Sequence, residues 1–227
     1  MPERQILAIG AHAMRPGEPL DDLLLELTGA SRPRVLLIPT ASAESDEYVV
    51  HFYEAFARRA QASHLSLFDI PPPDIRSIVL DQDAIFVGGG NTANMLAIWR
   101  VHGVDRYLRE AWEAGVVLAG VSAGSICWFE AGVTDSFREE LDGLDCLGFL
   151  PGSNCPHYDG EETRRPAYHR LLAEGFPAGL ANEDFVGLRF EGTELAEAVT
   201  SRPDAAAYRV ELVNGEVVEQ RLDTRRL

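Results

Sequence analysis

Short runs of consecutive apolar residues alternate with amphipathic segments through the first half of the chain, and this alternation constrains the fold most. A strand that is apolar along its whole length is typical of a parallel sheet covered on both faces. The segments between the runs have helical length and carry apolar residues at helical spacing. The pattern predicts βαβ units in an α/β fold, with helices on both sides of a mostly parallel sheet. The apolar runs are residues 6–9, 35–38, 65–68, 84–87 and 116–119, and the helical segments include 20–27, 48–62 and 104–114.

The rhythm changes after Thr134, where Gly, Pro, Asn and Asp recur through residues 148–166. Strand-like segments return at residues 186–190, 195–200 and 207–213. The last of them leads into Asn214-Gly215, which is a strong hairpin signal. We therefore expect antiparallel strands toward the C-terminus, finishing one domain over residues 1–227.

Composition excludes several classes of function. The formal net charge is −16, which repels phosphate backbones and anionic lipid headgroups, so neither nucleic acid nor a membrane is an expected partner. All 20 basic residues are arginine, which excludes Schiff-base chemistry and a P-loop lysine. No apolar stretch has the length of a membrane span and the N-terminus lacks a secretory layout, so the expected location is the cytoplasm.

The strongest motif is Gly120-Val-Ser122-Ala-Gly124, which follows a buried strand and precedes an apolar segment that we expect to be helical through Phe129. A strand running into Gly-x-Ser-x-Gly and then a helix is the context of a nucleophile elbow. In that turn the Ser122 hydroxyl projects from the sheet edge, and nearby backbone N–H groups can stabilise an oxyanion. The sequence therefore predicts a serine nucleophile at Ser122.

A second glycine turn, Gly88-Gly89-Gly90-Asn91, ends another buried strand. Because the carboxyl ends of neighbouring parallel strands share one edge of the sheet, this turn is expected to lie near Ser122. Its exposed backbone, with that of Ala123, is predicted to contact substrate.

A serine nucleophile needs a base of near-neutral pKa, and His157 in Asn154-Cys-Pro-His157-Tyr-Asp is the histidine best suited. A carboxylate must orient its imidazole. Spacing leaves Asp135, Glu183 and Asp184 open for this role.

The sequence favours metal, cofactor and thiol chemistry less than serine chemistry. The chain has neither Cys-x-x-Cys nor His-x-x-x-His, so no metal and no cofactor are expected. Cys127 and Cys155 do not stand on a strand-to-helix turn, which disfavours a cysteine nucleophile.

Three ordered motifs give the chain a family resemblance: Phe86-Val-Gly-Gly-Gly-Asn-Thr92, Gly120-Val-Ser-Ala-Gly-Ser125 and Asn154-Cys-Pro-His157-Tyr-Asp159. In this order they resemble the peptidase E family (S51) of serine peptidases, the aspartyl dipeptidases, whose wider clan includes cyanophycinase. The resemblance implies a three-layer sandwich similar to class I glutaminase domains, with a flavodoxin-like arrangement. It also implies hydrolysis of dipeptides that carry an N-terminal aspartate, through an acyl-enzyme, and a homodimer.

The resemblance also implies residue roles. Ser122 would attack the carbonyl, His157 would transfer the proton, and Glu183 would orient the imidazole. Asp135 would face the free amine of the substrate, although it is also a candidate for the triad. Arg164 would bind the aspartate side chain, because an arginine pairs with a carboxylate through two hydrogen bonds.

Two alternatives to an Asp-Xaa dipeptidase stay open. One is a serine hydrolase of the same fold that acts on another small acidic or β-linked peptide. The other is a glutaminase-like protein without turnover that binds a small ligand.

Overall fold

The computed structural model describes residues 3–12 and 14–227, and its larger sheet confirms the predicted α/β class. This sheet has eight strands in the order β14-β11-β10-β1-β5-β4-β2-β3. Strands β1, β5, β4, β2 and β3 run parallel, and β10 is antiparallel to both β1 and β11. The strands are β1 (Gln5–Ile9), β2 (Arg34–Ile38), β3 (Gln61–His64), β4 (Ala84–Val87), β5 (Val117–Val121), β10 (Val186–Glu191), β11 (Glu194–Thr200) and β14 (Thr224–Arg226).

Helices cover both faces of this sheet. The apolar face of α1 and α2 packs on one side, where Leu24 and Phe52 are buried against Phe86. Helices α4 and α5 cover the other side, where Trp99 and Trp112 are buried in a second apolar cluster. The helices are α1 (Pro19–Leu27), α2 (Asp46–Phe56), α3 (Ile75–Leu80), α4 (Thr92–His102), α5 (Val104–Glu113), α6 (Ala123–Ile126) and α7 (Arg164–Ala173).

A second sheet of six strands, in the order β13-β12-β9-β8-β6-β7, was not predicted. It contains the segment 207–213, which the sequence predicts as an antiparallel strand toward the C-terminus. That segment pairs antiparallel with β9 in this sheet, because the chain turns away from β11 after Thr200. The strands are β6 (Phe129–Thr134), β7 (Asp142–Asp145), β8 (Leu150–Cys155), β9 (Gly179–Asn182), β12 (Ala207–Val213) and β13 (Glu216–Arg221).

Three local predictions were wrong. The strand expected at residues 65–68 lies at Gln61–His64. Leu65 and Leu67 belong to the loop that follows this strand, and their apolar side chains are buried. Helix α2 ends at Phe56, well before residue 62. The apolar segment after Ser122 is helical only to Ile126 and then enters β6, so its apolar residues fill the space between the two sheets.

Across residues 3–12 and 14–227, no helix has the length and apolar character that a bilayer crossing requires.

Candidate active site

Ser122 lies at a sharp turn between β5 and α6. Its backbone has φ 57° and ψ −110°, a combination that a residue other than glycine adopts only under strain. The Ser122 N–H donates a hydrogen bond to the Ile9 carbonyl at 3.0 Å, which ties the turn to the central strand. A Cβ on Gly124 would lie 2.2 Å from the Val87 carbonyl oxygen, so only glycine allows α6 to pack against β4. This is the nucleophile elbow that the motif predicts.

His157 lies between Ser122 and a carboxylate. The Nε2 atom of His157 is 2.9 Å from the Ser122 Oγ, and its Nδ1 atom is 2.8 Å from an oxygen of Asp184. His157 has φ 57°, so it too is held in a left-handed backbone conformation. The hydrogen bond with His157 keeps the pKa of Asp184 below its usual value, which favours the ionised carboxylate. The three side chains have the connectivity of a Ser-His-Asp triad.

The expectation that Glu183 orients His157 is contradicted by this geometry. The Glu183 carboxylate accepts hydrogen bonds from the Ala206 N–H at 2.9 Å and the Tyr208 hydroxyl at 2.8 Å. Strand β9 ends at Asn182, and Asp184 already lies in the turn that follows it. The Asp184 carboxylate contacts the His157 imidazole, whereas the Glu183 carboxylate contacts the start of β12.

Buried amides connect the elements that carry the triad, and the sequence motifs gave no role to them. Ser125 in α6 donates to the side chain of Asn154 at 2.8 Å. The Asn154 amide then donates to Asn182 at 3.0 Å. Asn154 and Asn182 are both completely buried, just before His157 and Asp184 in the chain. This chain of hydrogen bonds fixes the register of α6, β8 and β9 and thereby helps to position the triad.

The glycine turn after β4 packs against Ser122. The hydroxyl of Tyr48 accepts a hydrogen bond from the Gly89 N–H at 3.1 Å, so this N–H is already paired, contrary to the substrate contact expected there. Within the residues that the structure describes, the backbone N–H groups of Gly90 and Ala123 have no hydrogen-bond acceptor. Ala123 is the residue after Ser122 in the chain, and Gly90 lines the same cavity as Ser122. An oxyanion formed at Ser122 would need donors close to that residue.

A cavity of about 320 Å³ opens onto the Ser122 hydroxyl. Seven residues line it, and all but Glu161 belong to the predicted site: Gly90, Asn91, Ser122, Asp135, His157, Glu161 and Arg164. Glu161 is the lining residue that sequence reasoning missed, because it belongs to an acidic run that is typical of solvated loops.

Asp135 is brought to this cavity by the loop after β6. The hydroxyl of Ser136 accepts hydrogen bonds from the N–H groups of Thr92 and Ala93, at the start of α4. The Asn91 side chain accepts from the Asn94 N–H at 2.9 Å and donates to the Ser136 carbonyl at 2.9 Å. The loop is thus fastened to the helix, while the Asp135 side chain itself is exposed at the cavity, and the two ring nitrogens of His157 are paired with Ser122 and Asp184.

Arg164 is buried at the first position of α7, and it is the arginine of its segment that lines the cavity. Its Nε donates to Glu161 at 2.6 Å, and its Nη1 donates to the Val133 carbonyl at 3.0 Å. Arg165 lies over the Tyr158 and Tyr208 rings instead.

The cysteines are not arranged as nucleophiles. Cys127 and Cys155 are buried, and burial raises the pKa of the Cys155 thiol to about 12. Among residues 3–12 and 14–227, no group of three or more His, Cys, Asp or Glu side chains is placed to hold a metal ion.

Comparisons with known proteins find relatives among peptidases. The family model described as "Peptidase family S51" matches residues 6–197. The Bacillus subtilis (strain 168) protein named "Uncharacterized peptidase YgaJ" is 48% identical over 221 residues, covering 95% of this chain and 96% of that protein. A peptidase E of Shewanella denitrificans is 37% identical over 92 residues, or 40% of this chain and 39% of that protein.

The fold also matches a solved structure. A peptidase from an acI-B1 Actinobacterium superposes with a TM-score of 0.73, over 98% of this chain and 95% of that one, at 18% sequence identity. The overall fold is therefore shared at low sequence identity.

Proposed function

The chain belongs to peptidase family S51, and from that premise we propose that it is a serine peptidase that hydrolyses dipeptides with an N-terminal aspartate. The observation that carries the serine mechanism is the hydrogen-bonded series of Ser122, His157 and Asp184, with 2.9 Å and 2.8 Å between successive side chains. Three side chains in this order form the unit that activates a hydroxyl for acyl transfer.

In the proposed reaction the Ser122 Oγ attacks the peptide carbonyl carbon while His157 Nε2 accepts the hydroxyl proton. Asp184 holds the imidazole in the tautomer with a proton on Nδ1 and stabilises the imidazolium that forms. His157 then gives its proton to the leaving amine, and the peptide bond breaks to leave an ester on Ser122. Water, deprotonated by His157, attacks the ester and releases the acid.

Two backbone donors are available for the oxyanion of each tetrahedral intermediate. The Gly90 and Ala123 N–H groups line or adjoin the cavity and, in the described part of the chain, are free of protein acceptors. Donors held rigidly by the backbone need no rearrangement as charge develops, which is the main source of their effect on rate.

The cavity lining supports the choice of substrate. The exposed carboxylate of Asp135 is suited to the ammonium group of a free N-terminus, and the Arg164 guanidinium is suited to a side-chain carboxylate. A volume of about 320 Å³ is near the lower end for small-molecule sites and matches a dipeptide better than a long chain.

One observation favours a second candidate, a peptidase of the same mechanism with another N-terminal preference. The guanidinium of Arg164 is already paired with Glu161. A neutral N-terminal side chain would enter the cavity without disturbing that pair.

The test is the rate of hydrolysis of Asp-Leu, Glu-Leu and Leu-Leu by the wild-type protein and by Ser122→Ala. The proposal expects Asp-Leu to be the preferred substrate and the variant to lose several orders of magnitude in kcat. Preferred cleavage of Leu-Leu, with the same dependence on Ser122, would support the second candidate. Equal rates with and without the Ser122 hydroxyl would exclude both.

A further inference from the structure

The Glu161 carboxylate is hydrogen-bonded to the Arg164 guanidinium, which is the group that the proposed substrate would use. All three nitrogen atoms of Arg164 have protein acceptors: Nε and Nη2 lie 2.6 Å and 3.4 Å from the two Glu161 oxygens, and Nη1 donates to Val133. The Arg164 side chain is only 5% exposed, whereas the Glu161 side chain is 44% exposed. The arginine is therefore fixed, and its acidic partner reaches it from the solvent side.

The carboxylate of Glu161 is the same chemical group as the side chain of an N-terminal aspartate. Both bind a guanidinium best through two parallel hydrogen bonds, and Glu161 already takes the edge formed by Nε and Nη2. A substrate carboxylate that binds this edge therefore competes with Glu161. The lining residues also carry more negative than positive charge, since Asp135 and Glu161 face one arginine. A third carboxylate that enters the cavity meets this excess as well as an occupied partner.

The backbone of Glu161 ties this competitor to the catalytic loop. Its N–H donates to the His157 carbonyl at 3.3 Å, and its own carbonyl accepts from the Arg164 N–H at 3.0 Å. The side chain extends from this short turn and, within the described residues, has Arg164 as its only hydrogen-bonding partner. It can move out of the cavity by rotation of its own torsions, without any change in the backbone.

We propose that Glu161 sets the specificity of the site by acting as an internal substitute for an acidic substrate side chain. Its carboxylate lowers the preference for aspartate over an uncharged side chain of the same shape, such as asparagine. The inference rests on the proposed peptidase function and identifies a residue that determines how strongly that function selects aspartate.

The test compares Glu161→Gln with the matched variant Glu162→Gln. Glutamine keeps the shape and one acceptor for Arg164 but removes the charge. Glu162 is the next residue, is exposed, and lines a different cavity of about 720 Å³ with Arg138 and Arg170. Each variant and the wild-type protein are assayed with Asp-Leu and Asn-Leu, which differ by one charge.

We expect Glu161→Gln to raise the ratio of kcat/KM for Asp-Leu to kcat/KM for Asn-Leu by about tenfold, mainly through a lower KM for Asp-Leu. In Glu162→Gln we expect this ratio to stay within about twofold of the wild-type value, since an exposed charge outside the cavity is screened. An unchanged ratio in Glu161→Gln, or an equal rise in both variants, would overturn the proposal. A fall of equal size for both substrates would mean that Glu161 only holds Arg164 in place, which also overturns it.

A binding measurement separates failure of this inference from failure of the proposed function. If the wild-type protein cleaves neither dipeptide, the proposed function fails, and the shift in melting temperature with L-aspartate and with L-asparagine is measured instead. A larger shift with L-aspartate in Glu161→Gln than in the wild-type protein, with the L-asparagine shift unchanged, supports the role of Glu161. Equal shifts in the two proteins refute it.

Discussion

Replacing Asp184 by asparagine separates the two neighbouring acids that the sequence leaves open. Asp184 accepts the hydrogen bond of His157 Nδ1 at 2.8 Å, and the two side chains are only 23% and 18% exposed, so water cannot readily take its place. An asparagine that turns its amide N–H toward Nδ1 fixes the tautomer with a proton on Nε2. That nitrogen can no longer accept the proton of Ser122.

The expected cost of Asp184→Asn is a fall in kcat by a factor of about 10³ to 10⁴, which corresponds to about 4 to 5.5 kcal/mol in the activation free energy. The assay is steady-state hydrolysis of the best dipeptide from the substrate panel, with KM determined separately. KM should change little, because Asp184 does not line the cavity.

The matched control is Glu183→Gln. Glutamine can keep both hydrogen bonds of Glu183, as acceptor from Ala206 and as partner of the Tyr208 hydroxyl. We expect kcat within about threefold of the wild-type value, a small effect typical of a substitution that leaves the reacting groups in place. The reasoning is refuted if Glu183→Gln loses as much activity as Asp184→Asn, or if Asp184→Asn is nearly as active as the wild-type protein.

The wild-type protein and Asp184→Asn also give a prediction about how stability depends on pH. The hydrogen bond with His157 lowers the pKa of Asp184 in the folded state. Ionised Asp184 therefore stabilises the fold fully at any pH above the ordinary pKa that aspartate has in the unfolded chain. That contribution is lost as the pH falls through the lowered pKa of the folded state. Denaturant titrations should therefore show the wild-type protein more stable than Asp184→Asn near neutrality, with the difference disappearing in strong acid. A difference that grows toward low pH would contradict the assignment.

Three further predictions concern residues around the triad. Tyr48→Phe removes the acceptor of the half-buried Gly89 N–H and should lower the free energy of unfolding by about 1 kcal/mol and kcat by about tenfold, measured by denaturation and kinetics; an unchanged kcat would mean that the turn needs no such support. Gly160→Ala would place a Cβ 2.4 Å from an oxygen of Asp184, and we expect kcat to fall more than tenfold in steady-state assays, whereas a fully active variant would show that the loop adjusts. Iodoacetamide at pH 8 should leave activity intact, because Cys155 is buried and its pKa is raised to about 12; rapid inactivation would support a thiol mechanism.

The parallel part of the fold could be predicted from the sequence because its signals are local. Continuous apolar runs mark β1, β2, β4 and β5, and the predicted and observed segments coincide at β4 and differ by one residue at β1 and β2. The strand-to-helix turn at Ser122 could be predicted for the same reason, since its strand, glycines and helix start are contiguous in the chain.

The second sheet and the triad acid depend on contacts between distant segments. Strand β8 contains Pro151 and Gly152, so neither alternation nor β-branched residues identify it. Choosing between Glu183 and Asp184 requires knowing which of the two carboxylates after β9 faces His157, and that depends on how the turn after Asn182 folds against a distant loop. The ion pair between Glu161 and Arg164 could not be predicted from the sequence either, because both residues are typical of a solvated helix start.

The most direct test of the serine mechanism is the site and rate of labelling by a fluorophosphonate, which forms a covalent adduct with an activated serine. We expect one adduct per chain by intact mass, mapped to Ser122 by peptide mass spectrometry, with labelling slowed by at least a factor of about 10² in His157→Ala, since the base that activates the hydroxyl is removed. A protein that stays unlabelled, or an adduct at another residue, would contradict the assignment of Ser122 as the nucleophile.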